Sequence, residues 1–458
     1  MKTYGKHDNI RACRVTALAF TLVFVFIPLL CVYFATPVAA VPRAAVTAEN
    51  IGIDTQHIKS AYLYNIENDF IICSYNADDA VYPTSTAKIM TGILAIEALS
   101  GRLKEKVTVT AEMLEGVGGN NIKLVAGEEI SIESLLYAML AGGANDAAQV
   151  LAILVAGTVD EFVAKMNRRA ADLGAENTHY TNPSGVHNSE MYTTARDTVT
   201  IALEAYKLPL FMTITSTSKY VIDETNKSEF RSFYNKNFMV SSSGALKYYY
   251  KNAAGMNSGA TSQGGYCLVT TAQREGLTYL AVVMGADVDE EKDKIYSYTE
   301  AATLLDYAFE SYGNIKLIDS GSVICEIPVE LSGTADYVTL VTADSMYMYL
   351  PTDTDLETEI KFSRKTSFDS LTAPVAEGAV AGVLTVMYHD EIIGNIDLVT
   401  TVAIARSEFL YTLEQIEDFA TGRFFITFII STVLLTVLYI FGKAIYLHRK
   451  TKHRGRYI

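Results

Sequence analysis

Apolar positions recur at helical spacing in several stretches of this chain and alternate as in strands in others. Ser60–Asn65 and Phe70–Tyr75 are apolar, β-prone runs around Glu67-Asn68-Asp69, which predicts a β-hairpin. Pro83 is a helix-start signal, and Ile89, Ile93 and Ile96, with Met90 and Leu94 beside them, carry the helix that follows. Residues 105–130 are polar and glycine-bearing and predict short strands and loops. Ser131 is placed to cap a helix over Ile132–Leu140. The glycine-rich break at 141–148 opens a second helix, from Ala147 to about Val155. Asp160 caps a helix over Glu161–Leu173 that Gly174 stops. Asn182-Pro183-Ser184-Gly185 is a turn, and Thr193 or Thr194 starts a helix that runs through Ala205. Tyr266–Thr270 and Tyr279–Met284 read as adjacent buried strands, and Tyr298–Tyr312 as a helix. A sheet surrounded by helices is the expected outcome.

Near residue 313 the pattern changes. Ser322–Leu331, Tyr337–Leu350 and Ala381–Tyr388 alternate like strands, and His389-Asp390-Glu391 turns the last of them into Ile392–Val399. No long helical stretch follows until about Arg406, so this part reads as a small β domain with His389 as a turn residue. Phe424–Gly442 is free of charge, lies between Arg423 and Lys443, and is long enough to cross a bilayer. At the other end, a basic segment precedes the apolar run Val15–Phe34, and Val38-Ala39-Ala40 offers small residues for a signal peptidase. Residues 1–40 therefore read as a signal peptide cut near Ala40 or as an N-terminal anchor.

Charge sharpens this layout. The chain has 458 residues and a formal charge of −15. Residues 1–14 contribute +3 and residues 443–458 contribute +6, which leaves −24 for the stretch between. A stretch so acidic argues against nucleic-acid binding. The basic tail belongs on the cytoplasmic side by the positive-inside rule, with the acidic part outside. Past residue 40 only Cys73, Cys267 and Cys325 remain, an odd number without metal-ligand spacing. Cys73 and Cys267 sit in apolar surroundings and are expected to be buried thiols, so the chain is no disulfide scaffold.

The chemistry concentrates in Tyr82–Glu97. Ser85 is expected in the first turn of its helix, with Lys88 three residues on, on the same face. A serine hydroxyl needs a base within hydrogen-bond reach, and a lysine driven by burial toward the neutral amine can be that base. The helix N-terminus adds backbone N–H groups suited to an oxyanion. S-x-x-K alone is short, and a capping serine beside a solvated lysine reads the same way. Pro83 before it and the apolar helix after it raise the catalytic reading.

Further segments carry a resemblance: Ala144-Asn145-Asp146-Ala147-Ala148, Asn182–His187, Tyr192–Asp197 and Gly264–Val269, in order with Pro83–Glu97. Over roughly residues 50–442 the chain resembles the low-molecular-mass penicillin-binding proteins, the serine D-alanyl-D-alanine carboxypeptidases. The resemblance implies an α/β (α+β) penicillin-binding/β-lactamase-like catalytic domain over 50–312. It implies a β-rich domain over 313–405, a juxtamembrane segment over 406–423, a transmembrane helix over 424–442 and a cytoplasmic tail over 443–458. It also implies that Ser85 is acylated, Lys88 is its base, and Asn145 holds Lys88 and the substrate's peptide group. Asn257, Ser258, Gly259 and Ala260 would bind substrate, with the N–H groups of Ser85 and Ala260 as oxyanion hole. The substrate would be a peptidoglycan stem peptide ending in D-Ala-D-Ala, β-lactams would be covalent inhibitors, and no metal or organic cofactor is implied.

Two positions depart from the family pattern. Gly143 stands where the second motif begins with serine, and Asn257 where the third motif has lysine. Lys247 and Lys251 are near in sequence as replacement cations, though each also reads as a solvated lysine. Besides a working carboxypeptidase, a wall-peptide or β-lactam binder with little turnover remains open. A class A β-lactamase is disfavoured, because no E-x-x-L-N segment lies between Asn145 and Asn257.

Overall fold

A computed structural model describes residues 45–241 and 246–454; the expected export segment, residues 1–40, lies outside them. Ser60–Asn65 (β1) and Phe70–Tyr75 (β2) form the expected hairpin, with Asn65 accepting from the backbone N–H of Asn68 and Asp69 at φ 49°. Ala253–Thr261 (β3), Gly265–Arg274 (β4) and Leu277–Ala286 (β5) complete an antiparallel sheet in the order β2-β1-β5-β4-β3. Every residue of β5 is buried. Leu280, Val282 and Met284 enter one core cluster while Tyr279, Ala281 and Val283 enter another, as alternation across a pleat requires. Both faces are therefore covered, which is why this strand reads as an unbroken apolar run.

Helices pack on both faces. Lys88–Leu99 (α1), Ile132–Leu140 (α2), Asn145–Ala156 (α3), Val159–Asp172 (α4), Ala195–Tyr206 (α5) and Pro209–Thr215 (α6) contribute to the first cluster, and Tyr296–Ser311 (α7) to the second. Ser131 and Thr194 cap α2 and α5 by accepting from the N–H of Ser134 and Asp197. Asp160 is not the cap of α4. Thr158 accepts from the Glu161 N–H, and Asp160 lies in the first turn, where its charge suits the helix dipole. Cys73 and Cys267 are buried free thiols, as expected.

The chain divides into two compact units: one takes the described residues up to 315 together with 348–354, the other 316–347 and 355 onward. The second unit holds a six-stranded sheet of Val323–Glu330 (β6), Tyr337–Thr342 (β7), Ile360–Thr366 (β8), Leu371–Thr372 (β9), Val380–Tyr388 (β10) and Glu391–Thr400 (β11). Their order is β8-β10-β11-β7-β6-β9. The run Tyr337–Leu350 is not one strand. It breaks at Ala343-Asp344-Ser345, turn-forming residues, and resumes at Met346. His389 and Asp390, at φ 48° and 65°, make the tight turn between β10 and β11. Helices Glu408–Thr421 (α8) and Arg423–Arg454 (α9) follow. Arg423–Arg449 is long and apolar enough to cross a membrane, by length and composition.

Candidate active site

Ser85 does not lie in the α-helix proper. Thr84–Ala87 form a 3₁₀ turn that leads into α1 at Lys88. Three residues per turn bring positions i and i+3 into line, so the tighter turn stacks Lys88 directly over Ser85. Lys88 Nζ lies 3.2 Å from Ser85 Oγ and 2.6 Å from the carbonyl oxygen of Ser184. The Lys88 side chain is fully buried, and that burial lowers its pKa to about 7. A neutral amine with one N–H spent on Ser184 offers its lone pair to the Ser85 hydroxyl.

The Asn182–Gly185 turn is built to sit against this helix. Asn182 Oδ1 accepts from the N–H groups of Ser184, Gly185 and Val186 at 2.8–3.2 Å, which closes the turn on its own side chain. Thr91, one turn after Lys88, donates to the Pro183 carbonyl at 2.7 Å. Gly185 has φ +77°, and a Cβ there would stand 1.7 Å from the Thr84 carbonyl oxygen. Thr84 itself is held at φ 51°, a strained conformation for a β-branched residue next to the nucleophile.

Strand β3 closes over the serine from the other side. A Cβ at Gly259 would lie 2.3 Å from Ser85 Cβ and 2.8 Å from its backbone nitrogen, so only glycine lets the strand come this near. Ser85, Ser258, Gly259 and Ala260 line one cavity of about 250 Å³. Ser258 Oγ donates to the Lys236 carbonyl at 2.7 Å. Asn257, the preceding residue on β3, does not line the cavity. It is 3% exposed, its amide donates to the Leu140 carbonyl of α2 at 3.3 Å, and its Oδ1 has no partner among the described residues.

Asn145 opens α3 but does not hold Lys88. Its Nδ2 donates to the Gly118 carbonyl at 2.7 Å, and its Oδ1 is buried without a partner. The stretch 118–124 is fastened here by Asp146, whose carboxylate accepts from the N–H groups of Ile122 and Leu124. That brings Asn120 into the cavity wall beside Gly143. Lys247 pairs with Asp293 on the surface, and Lys251 is exposed; neither lines the cavity. Lys236, Asn120 and Tyr298 do line it, and no motif in the sequence marks them.

Residues 45–288 match the profile of the D-alanyl-D-alanine carboxypeptidase family. The chain belongs to this family. Residues 312–406 match the profile of the penicillin-binding protein 5 C-terminal domain, in line with the expected β domain. D-alanyl-D-alanine carboxypeptidase DacF of Bacillus subtilis (strain 168) is 26% identical over 359 residues, 78% of this chain and 88% of that one. The solved structure of a D-alanyl-D-alanine carboxypeptidase from Mycobacterium tuberculosis H37Rv covers 58% of this chain and 95% of its own, with 27% identity and a TM-score of 0.51. The DacD carboxypeptidase of Francisella tularensis covers 82% of this chain and 99% of its own at 22% identity, with a TM-score of 0.55, a likeness of fold. A penicillin-binding catalytic fold followed by a β domain is thus the architecture of this chain.

Proposed function

We propose that this carboxypeptidase family member removes the terminal D-alanine from peptidoglycan stem peptides through an acyl-enzyme on Ser85. The observation that carries the reading is the buried Lys88 amine, 3.2 Å from Ser85 Oγ with its pKa lowered to about 7 by burial. Lys88 takes the Ser85 proton as Oγ attacks the carbonyl of the D-Ala-D-Ala bond. The oxyanion that forms is received by the backbone N–H groups of Ser85 and Ala260. Lys88, now an ammonium, holds the proton that the departing D-alanine amine needs, since Gly143 has no hydroxyl to relay it. Water then hydrolyses the acyl-enzyme. Asn145 does not line the cavity, and its buried Oδ1 takes no part in this scheme. Ser258, Gly259 and Ala260 flank the bound D-Ala, and no step calls for a metal or organic cofactor. β-Lactams would acylate the same serine. The Arg423–Arg449 helix would hold the enzyme in the membrane, with the catalytic unit outside and the basic tail in the cytoplasm.

The test is release of D-alanine from a wall pentapeptide by the detergent-solubilised full chain, alongside covalent labelling by a fluorescent penicillin. Ser85→Ala is expected to abolish both. Labelling of wild type without D-alanine release would instead identify a β-lactam and wall-peptide binder. Equal labelling of wild type and Ser85→Ala would show that the nucleophile lies elsewhere.

A further inference from the structure

The cavity at Ser85 contains one formally charged side chain among the described residues that line it, Lys236. No aspartate or glutamate shares that wall, and Lys236 has no ion-pair partner among the described residues. Its backbone is tied down from three directions. The Lys236 N–H donates to the Ala141 carbonyl at 2.9 Å, and its own carbonyl accepts from Ser258 Oγ at 2.7 Å and from the Tyr298 hydroxyl at 3.0 Å. The residues on either side are buried asparagines. Asn235 donates to the carbonyls of Thr215 and Thr217 at 2.8 and 3.0 Å, and Asn237 Oδ1 accepts from the Met239 N–H at 3.0 Å. A flexible, exposed lysine thus leaves from a fixed point at the cavity wall.

Its stem passes over Gly143. A Cβ on that glycine would stand 3.4 Å from Lys236 Cγ, so the missing side chain of the second motif is the space the lysine runs beside. Asn257 brings no charge and donates its amide to the Leu140 carbonyl instead of lining the cavity.

We propose that Lys236 is the cation that receives the C-terminal carboxylate of the substrate in this enzyme, taking over the charge that Asn257 lacks. The proposal rests on the carboxypeptidase reading, because it assumes a peptide whose last residue carries a free carboxylate. A lysine ammonium is a point charge on a long stem, able to meet a carboxylate next to the Ser258 hydroxyl. Its effect is confined to substrates that end in an anion, and salt weakens it.

The experiment compares a diacyl-lysyl-D-Ala-D-Ala peptide with the same peptide ending in a carboxamide, using the full chain in detergent. The readout is the ratio of kcat/KM for acid over amide. For proteins carrying Ser85→Ala, the same ratio is taken from equilibrium binding of the two peptides. Lys236→Gln is expected to lower this ratio about tenfold. Lys236→Arg, which keeps the charge, is expected to restore most of it. Lys247→Gln removes an equal charge outside the cavity and is expected to leave the ratio at its wild-type value. Higher ionic strength should lower the wild-type ratio and leave that of Lys236→Gln in place.

A Lys236→Gln protein with the wild-type ratio overturns the proposal. So does a wild type that does not distinguish acid from amide, or a Lys247→Gln protein that loses as much. Turnover of the acid peptide with an unchanged Lys236→Gln ratio would leave the carboxypeptidase reading standing and remove this one. Absence of turnover with an acid-selective, Lys236-dependent binding ratio would do the reverse.

Discussion

Burying Lys88 has a stability consequence that Lys88→Met exposes. The amine has a pKa near 10.5 when solvated and about 7 in the fold, a gap of roughly 3.5 units. At about 1.36 kcal/mol per unit, the buried site disfavours the native state by about 5 kcal/mol wherever the unfolded chain carries the proton at this lysine and the native state must bind it. The sign follows from proton counts. Between pH 7 and 10.5 the unfolded chain holds one more proton at this site than the native protein, so stability rises with pH across that window. Below pH 7 both states are protonated and the penalty is constant; above 10.5 it vanishes. Methionine is similar in size and never charged, but it leaves the Ser184 carbonyl without the 2.6 Å bond from Nζ, a loss of about 1–3 kcal/mol. At pH 6, Lys88→Met should therefore be more stable than wild type by about 2–4 kcal/mol. The gap should close as pH rises through 7 and reverse between about pH 8 and 10, where the remaining penalty falls below the 1–3 kcal/mol of the lost hydrogen bond. Urea unfolding of both proteins from pH 6 to 10 measures it. The same variant should lose penicillin acylation, whose rate in wild type should rise with pH and level off above about 7, the value to which burial lowers the Lys88 amine. Parallel stability curves for the two proteins, or acylation by Lys88→Met at the wild-type rate, would refute the claim that a desolvated amine activates Ser85.

Gly259→Ala places a Cβ 2.3 Å from Ser85 Cβ and must push β3 off the nucleophile; the acylation rate constant for a fluorescent penicillin should fall by about 100-fold or more. A rate within a factor of a few of wild type would mean that the strand yields without disturbing the oxyanion donors. Protease added to intact cells should digest the catalytic unit and spare a tag placed after Ile458. A tag lost to external protease would reverse the proposed membrane orientation.

Much of the fold could be read where a local signal has one physical outcome. β1 and β2 carry apolar, β-prone runs bounded by a turn, and their ends fall where the pattern places them. α2 begins where Ser131 can cap it. The 3₁₀ turn at Ser85 was not legible, because Pro83 and the polar residues after it suit the start of either helix type, and the close approach of Gly185 to Thr84 comes from a segment distant in sequence. The catalytic pair was legible for the opposite reason: Ser85 and Lys88 are three apart in one rigid element. Asn257 and Ser258 show the limit of motif reading. Asn257 is two residues from Gly259 and shares its face of the strand, the one turned to Ser85, yet its amide is spent on the Leu140 carbonyl and it does not line the cavity, whereas Ser258 does. Lys236 was illegible because Asn235-Lys236-Asn237 reads as a polar loop, and only the burial of both asparagines shows that the loop is a mount.

The departures at Gly143, Asn257 and the presence of Lys236 are physically linked. Gly143 sits at φ +69°, where any residue with a Cβ is strained, and its neighbours on the open side are Asn120 Nδ2 at 3.3 Å and Lys236 Cγ at 3.4 Å from the position of a Cβ. A serine there would point its hydroxyl into the space between the asparagine amide and the lysine stem. A lysine at 257 would start from a site that is 3% exposed, where the Asn257 amide now donates to the Leu140 carbonyl. A second ammonium beside Lys236 would add like-charge repulsion in a partly desolvated cleft whenever no carboxylate is bound. Glycine at 143 and an uncharged residue at 257 therefore leave one arrangement without conflict: a single cation, entering from the Asn235–Asn237 loop, beside the hydroxyl of Ser258.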